Sequence, residues 1–217
     1  MLLSRLQSFI GGIYDVQVAH DVYDFLVTDR MRLPPAARAG TADEELLVAE
    51  GGGELALSLY LDPALLARLA AADPLERLHA GNVADWLTAL EGVSHFLYLA
   101  WNAGHDKPVS LLELEMQAEV DKYVTSYWLL RRQLPQHFPA ELPRLLFGCA
   151  RVDARLAAGR AALYREASRY AERFCRRLER TLARGGQGGA DADVLAELRR
   201  FYRLSHARKR AHIEAGA

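Results

Sequence analysis

Apolar side chains recur at helical spacing along much of the chain. Around Val16–Val27 the pattern places valine, phenylalanine and leucine side chains on one side, which predicts an amphipathic helix that ends near Asp29. A longer apolar stripe within residues 160–184 predicts a second amphipathic helix. The members of that stripe are Leu163, Ala167, Tyr170, Phe174, Leu178 and Leu182. A last helical region is predicted from Asp193 to about Glu214.

A different pattern marks residues 45–61. Leucine alternates with smaller or polar residues from Leu55 to Leu61, and three consecutive glycines at 51–53 precede this run. Period-two alternation after a glycine turn predicts a β-hairpin with one face on a core. The glycines lack the downstream Lys-Ser/Thr and the following helix of a phosphate-binding loop, so we interpret them as a turn.

Several helix starts carry capping residues. The pairs Asp62-Pro63 and Asp73-Pro74 each combine a carboxylate cap with proline at the first helical position. Asn82 is predicted to begin a helix that runs to about Asn102. Ser110 and Glu113 have the spacing of a capping box, which predicts a helix to about Arg132.

These elements predict a mainly α-helical, single-domain, bundle-like fold with one β-hairpin near residues 45–61. The 217 residues, 51% of them hydrophobic, are enough for a core without a structural metal or disulfide. Cys149 and Cys175 have no CxxC spacing and are interpreted as free thiols packed in the core. The glycine-rich stretch 185–190 is predicted to be a flexible link.

The sequence also favours a location and an origin. The first ten residues lack the pattern of a secretory signal, and no apolar run approaches the length of a membrane span. We therefore expect a cytoplasmic protein. Lysine occurs only three times against 24 arginines, beside abundant alanine and leucine, which indicates a GC-rich bacterial genome.

Candidate chemistry is concentrated in the helix predicted from Asn82 to Asn102. This segment is apolar nearly all round, so it is expected to be buried. Its polar residues nevertheless share one stripe, at positions i, i+4, i+7 and i+11. They are Glu91, His95, Tyr98 and Asn102. A buried carboxylate has to be paired, protonated or coordinated, and this stripe is therefore a candidate ligand-binding site.

The following helix contributes Glu115 and Glu119 on one face. If the two helices form an antiparallel hairpin, Glu91 and His95 can meet Glu119, and these three are the predicted metal ligands. His20 and Asp24 repeat the i, i+4 pairing and could add ligands. Three interpretations remain open: a network that only fixes core packing, a ligand or acid–base site, and a metal site. No particular cofactor is identified.

The charge is strongly divided along the chain. Residues 151–217 carry 16 Lys or Arg and 8 Asp or Glu, a net charge of +8, whereas residues 1–150 carry a net charge of −9. A basic surface is predicted opposite the apolar stripe of the 160–184 helix. It comprises Arg165, Arg169, Arg173, Arg176 and Arg180. Such a surface could bind phosphates, or it could be solvated, or the basic helices could dock on the acidic part.

No motif identifies a family. The leading hypothesis is an interaction or small-ligand-binding protein, whose partner is another protein or a small molecule. The second is a metal-dependent or acid–base enzyme that uses the Glu/His residues. The third is a protein that binds the phosphate backbone of a nucleic acid through its C-terminal helices.

Overall fold

The computed structural model describes residues 1–51, 54–148, 158–184 and 189–216, and it confirms a mainly helical fold with a small β element. The helices are α1 (Leu2–Tyr14), α2 (Pro35–Arg38), α3 (Pro63–Ala71), α4 (Val83–Ala103), α5 (Leu111–Gln133), α6 (Ala158–Arg184), α7 (Gly189–Arg203) and α8 (His206–Ala215). The strands are β1 (Leu26–Val27), β2 (Glu44–Gly51) and β3 (Glu54–Leu61). Single turns of 3₁₀-helix occupy Val22–Phe25 and Arg30–Arg32, and a π-helical turn occupies Arg144–Gly148.

Helices α4 and α5 form the predicted antiparallel pair at the centre of the fold. Ser110 caps α5 as expected, since its Oγ accepts a hydrogen bond from the Glu113 amide at 3.3 Å. Glu113 does not return that bond, because its carboxylate is buried and accepts from the Tyr98 hydroxyl at 2.6 Å. Helix α4 begins after Asn82 as predicted, but the Asn82 side chain stabilises the preceding turn by bonding to His79 and Ala72.

The predicted hairpin is confirmed, and it belongs to a sheet of three strands in the described part of the chain. β2 pairs with β3 in antiparallel register, with Leu46 opposite Leu59. β1 adds a short parallel edge by pairing Leu26 with Leu59, which the sequence did not predict. Leu59 and Leu61 are fully buried, so one face of the sheet lies on the core as expected. The central glycines at 52 and 53 lie outside the described residues.

The prediction of a helix at Val16–Val27 was wrong. The N-terminal helix is instead α1, which buries Leu3, Leu6 and Ile10 and ends at Asp15 in the left-handed conformation with φ of 53°. Residues after it form turns, a 3₁₀ turn and β1. Four valines between 16 and 27 explain the difference, because β-branched side chains disfavour helix and favour extended chain.

Three smaller predictions also need correction. Asp73-Pro74 begins a turn rather than a helix, although Asp73 does accept a hydrogen bond from the Leu75 amide at 2.8 Å. The last helical region is two helices, because the chain breaks between Arg203 and His206. Gly189 and Ala190 belong to α7 rather than to a link, and residues 185–188 lie outside the described residues.

The other helices surround the central pair. α6 packs along α5, α1 packs on α4, and α7 lies against both α1 and α6. Cys175 is a free, fully buried thiol on α6, as predicted, whereas Cys149 lies outside the described residues. Among the helices that the structure describes, none combines the length and apolar character needed to cross a lipid bilayer.

A buried network of hydrogen bonds ties four of these helices together. Asp121 of α5 accepts from the Tyr14 hydroxyl of α1 at 2.5 Å and from the Ser94 hydroxyl of α4 at 2.5 Å. Gln117 donates to the same carboxylate at 2.7 Å and accepts from the Lys209 ammonium of α8 at 2.5 Å. Burial raises the pKa of Asp121 to about 6 against the opposing effect of these donors.

Lys209 is the C-terminal anchor of that network. Its side chain is fully buried, and its ammonium lies 4.4 Å and 4.8 Å from the ring centres of Tyr98 and Phe201. Cation–π contact and the Gln117 bond compensate only part of the desolvation. Burial consequently lowers the pKa of Lys209 to about 7, although the nearby carboxylates Glu113 and Asp121 favour the charged form.

The lowered pKa of Lys209 predicts a pH-dependent contribution to stability. Between pH 7 and 10.5 the unfolded lysine holds a proton that the folded one has lost, so stability due to this group rises with pH. The free energy of unfolding of wild type, relative to that of Lys209→Met, should therefore increase from pH 7 to 9. The increase should be up to about 1.4 kcal/mol per pH unit. Urea denaturation at each pH measures it, and a constant difference would contradict the buried, titrating lysine.

Candidate metal centre

One polar cluster lies between α4, α5 and the sheet. We call it the Glu/His cluster, and it consists of Glu44 of β2, Glu91 and His95 of α4, and Glu115, Glu119 and Lys122 of α5. Helix α4 sets its geometry, because Glu91 and His95 are four residues apart and so lie on one face, one turn from each other.

The antiparallel pairing of α4 with α5 brings Glu115 to His95. Along this pair Trp86 bonds to Ser126, Ser94 to Asp121 and Tyr98 to Glu113, so α5 residues fall in number as α4 residues rise. His95 therefore faces Glu115, with Nε2 lying 3.6 Å from Oε2. Both side chains are almost fully buried, at 6% and 7% exposure.

The sheet supplies a third carboxylate at the other nitrogen of the imidazole. Oε1 of Glu44 lies 3.9 Å from Nδ1 of His95. Gly92 makes this approach possible, because a Cβ atom there would stand 2.9 Å from Cγ of Glu44 and 2.8 Å from Cδ1 of Leu59. The close approach at Gly92 is therefore one between a helix and the sheet.

Lys122 holds the outer side of the cluster. Its ammonium lies 2.7 Å from Oε2 of Glu91 and 2.7 Å from Oε1 of Glu119. Burial alone would lower the pKa of Lys122, but these two carboxylates raise it above its ordinary value. Glu91 is the most exposed member of the group, with 27% of its side chain accessible, and it therefore forms the edge by which solvent reaches the cluster.

The cluster has more acidic than basic groups. It contains four carboxyl groups against one imidazole and one ammonium. Burial would lower the pKa of His95, but Glu115 and Glu44 on either side raise it to about 10. Burial also raises the pKa of Glu44, which His95 offsets only in part. Excess negative charge at low solvent exposure is costly unless a cation compensates it.

Two buried atoms of the cluster have no hydrogen-bond partner among the described residues. They are Nε2 of His95 and Oε1 of Glu44. Their separations of 3.6 Å and 3.9 Å from the facing atoms are ion-pair distances that exceed hydrogen-bond length. The ligand atoms of Glu91, His95 and Glu115 all lie within 4.8 Å of one another, so these three side chains could hold a metal ion.

The structure separates the residues that the sequence grouped. Glu91, His95 and Glu115 come together, whereas Glu119 contacts Lys122 and is not in the compact three-donor group. Tyr98 and Asn102 lie farther along α4, where Tyr98 bonds to Glu113 and Asn102 donates to the Tyr98 carbonyl at 2.8 Å. His20 and Asp24 are exposed and belong to turns, because the helix predicted for them does not form.

Sequence reasoning missed Glu44, Lys122 and a neighbouring tyrosine. Burial and the charge of Glu115 raise the pKa of Tyr164 to about 12, which places this α6 side chain beside that carboxylate. Lys122 could have been found, since it is three residues after Glu119 and seven after Glu115. Glu44 carried a weaker signal: it falls on the same alternation as Leu46, on the core-facing side of the hairpin.

Comparison of the chain with models of known protein families, with curated proteins and with solved structures found no match in any of the three. The function is therefore argued from the geometry of the cluster.

The close approach at Gly92 predicts that Gly92→Ala destabilises the protein. Alanine in a helix is otherwise favoured over glycine by about 1 kcal/mol, but the added methyl would displace Glu44 and Leu59 at an overpacking cost of about 1–3 kcal/mol. We expect a net loss of about 1 kcal/mol in urea denaturation. Gly12→Ala in α1 is the matched control, because its added Cβ would meet no atom within 4 Å. Equal stabilisation of both variants would contradict this packing.

Proposed function

We propose that the protein is a small-ligand-binding protein and that its ligand is a divalent first-row transition-metal ion, held by Glu91, His95 and Glu115. The observation that carries this proposal is the buried Nε2 of His95, which has no hydrogen-bond partner among the described residues and faces Glu115 at 3.6 Å. One imidazole and two carboxylates are donors that zinc, manganese and iron accept.

The spacing of the donors fits a bound ion after small side-chain movements. Metal–ligand bonds of about 2.0–2.2 Å place neighbouring donors roughly 3–4 Å apart. The separation between His95 and Glu115 already lies in that range, and the widest separation within the group is under 4.8 Å. A divalent cation would also compensate the excess of carboxylates.

The remaining members of the cluster are suited to support the ligands. Glu44 faces Nδ1 of His95, and a carboxylate in that position favours a proton on Nδ1 and leaves Nε2 free to bind metal. Lys122 holds Oε2 of Glu91, which leaves Oε1 of that carboxylate for the ion. Glu119 in turn holds Lys122.

Binding is proposed ahead of catalysis because the groove that could hold a substrate is not lined by any of the three donors. This groove, of about 680 Å³, lies between the hairpin and the α4–α5 connection, lined by residues such as Val48, Leu99 and Leu111, and it includes no member of the three-donor group. Metal-dependent catalysis is the second candidate function. The 27% exposure of Glu91 favours it, because a three-donor site leaves coordination positions open to solvent or substrate.

Replacement of one ligand tests the metal site. The protein, stripped with chelator, should gain about 5–10 °C in Tm when Zn²⁺ or Mn²⁺ is added at about 100 times its Kd, whereas Glu115→Gln should gain none. Without metal the Glu115→Gln variant should be less stable than wild type, because it leaves the buried, protonated His95 without one of its two carboxylate partners. Differential scanning fluorimetry and elemental analysis measure the two effects.

Glu113→Gln is the matched control, because Glu113 is equally buried on the same helix but bonds to Tyr98 outside the cluster. It should retain the metal-induced gain in Tm. If wild type shows neither bound metal nor a metal-induced gain, the cluster is a structural network and the proposal is wrong.

The raised pKa of His95 predicts that metal affinity increases with pH. Below its pKa of about 10 the imidazole is protonated, so the ion must displace one proton to reach Nε2. Displacement of one proton makes the apparent Kd about ten times smaller for each pH unit gained, and we expect this trend between pH 6 and 8. Isothermal titration calorimetry with Zn²⁺ measures it. A Kd independent of pH would exclude His95 as a ligand.

A further inference from the structure

A row of arginines runs along the solvent side of α6. We call it the arginine row, and its members lie three or four residues apart: Arg165, Arg169, Arg173, Arg176, Arg180 and Arg184. All six are exposed. At a rise of about 1.5 Å per residue, the row is roughly 28 Å long.

The row cannot turn inward, because the opposite side of α6 is packed in the core. Tyr170, Phe174 and Leu178 on that side are almost fully buried, and Phe174 stacks on Phe201 of α7 at 4.0 Å between ring centres. The orientation of the helix about its own axis is therefore set by packing, and the guanidinium groups stay in solvent.

Most arginines of the row form no ion pair with a carboxylate among the described residues. Arg176 pairs with Glu172 at 2.8 Å. In the chain as described, Arg165, Arg173 and Arg184 form no ion pair with a carboxylate. The guanidinium groups of these arginines are thus available to bind an external anion.

Basic residues of α7 and α8 behave differently. Arg203 donates to the carbonyls of Tyr14 and Asp15 at 2.9 Å and 2.8 Å, and Lys209 is buried against Gln117. These side chains dock the C-terminal helices on the rest of the protein. Part of the positive C-terminal charge is therefore engaged in docking, whereas the arginine row on α6 is exposed, as are Arg200 of α7 and Arg208 of α8.

The surroundings of the row indicate the chemistry of its partner. The large hydrophobic side chains that are exposed lie elsewhere, and none of them belongs to α6 among the described residues. Protein interfaces centre on apolar or aromatic anchors, and membrane-surface helices insert an apolar face. Contacts with a phosphate backbone require only cations and hydrogen-bond donors.

We propose that the arginine row binds the phosphate backbone of a single nucleic-acid strand without regard to sequence. At helical spacing its six arginines spread over an arc of about 100°. Glu172 and Glu179 border this arc on one flank and Glu166 on the other, so the positive face is narrow and matches one track of phosphates rather than two. This site is separate from the Glu/His cluster, and it stands or falls independently of metal binding.

The test is salt-dependent binding of the full chain to a fluorescein-labelled 20-nucleotide RNA of mixed sequence, followed by anisotropy. About five phosphate contacts predict a slope of roughly −3.5 for log K against log salt. The variant Arg165→Gln/Arg169→Gln/Arg173→Gln should reduce that slope by about 2 and weaken binding more than tenfold at about 50 mM salt. Its Tm should equal that of wild type, because the replaced side chains are exposed.

The matched control removes three exposed arginines outside α6 and so changes net charge equally: Arg32→Gln/Arg77→Gln/Arg144→Gln. This control should bind RNA nearly as wild type does. An equal loss in the control would overturn the proposal, because binding would then follow net charge instead of the row. Absence of RNA binding at about 50 mM salt would also overturn it. So would tighter binding to vesicles of phosphatidylcholine with phosphatidylserine than to RNA.

Discussion

The structure depends on the burial of a polar helix. α5 lies at the centre of the fold, yet many of its buried side chains carry charge or hydrogen-bonding groups. They are Glu113, Glu115, Gln117, Asp121, Thr125 and Ser126. A buried polar group without a partner costs about 1–3 kcal/mol, so the elements around α5 have to supply matching groups. Tyr14, Ser94 and Lys209 reach it from three other helices, and this requirement accounts for the way α1, α4 and α8 converge on one helix.

The two sides of α5 meet that requirement to different degrees. Toward α1 and α8, the Asp121 carboxylate is surrounded by donors at 2.5–2.7 Å. Toward the sheet, His95 and Glu44 face their neighbours at 3.6–3.9 Å and leave buried atoms unpartnered. One oxygen of Glu113 is also unpartnered, but Lys209 lies near enough to interact with its charge. The side of α5 toward the sheet therefore has contacts longer than hydrogen bonds and an excess of carboxylates. It also has a partly exposed residue, Glu91, at its edge.

Features that depend on neighbours in sequence could be predicted. Asn82 and the capping residue Ser110 located the starts of α4 and α5, and alternation located the hairpin. The pairing of Glu91 with His95 followed from helical spacing. Features that depend on packing could not be predicted: the axial register of α4 against α5 places Glu115, rather than Glu119, at His95. Glu44 lies on a strand about fifty residues before His95, and no local sequence pattern indicates that the two side chains meet. The N-terminal error was local, since valines matched helical spacing in a segment that their β-branching keeps extended.

The docking of α7 on α1 has a consequence for the order in which the chain can fold. Arg203 bonds to the last carbonyls of α1 across 189 and 188 residues, and Tyr202 stacks on Tyr14. During synthesis, α1 leaves the ribosome before its partners in α7, which follow it by almost 190 residues. Contacts of such high sequence separation slow folding, because a long loop must close before they form. The side of α1 that α7 covers is consequently exposed while the intervening residues are made, and this is the interval in which chaperone contact would matter most.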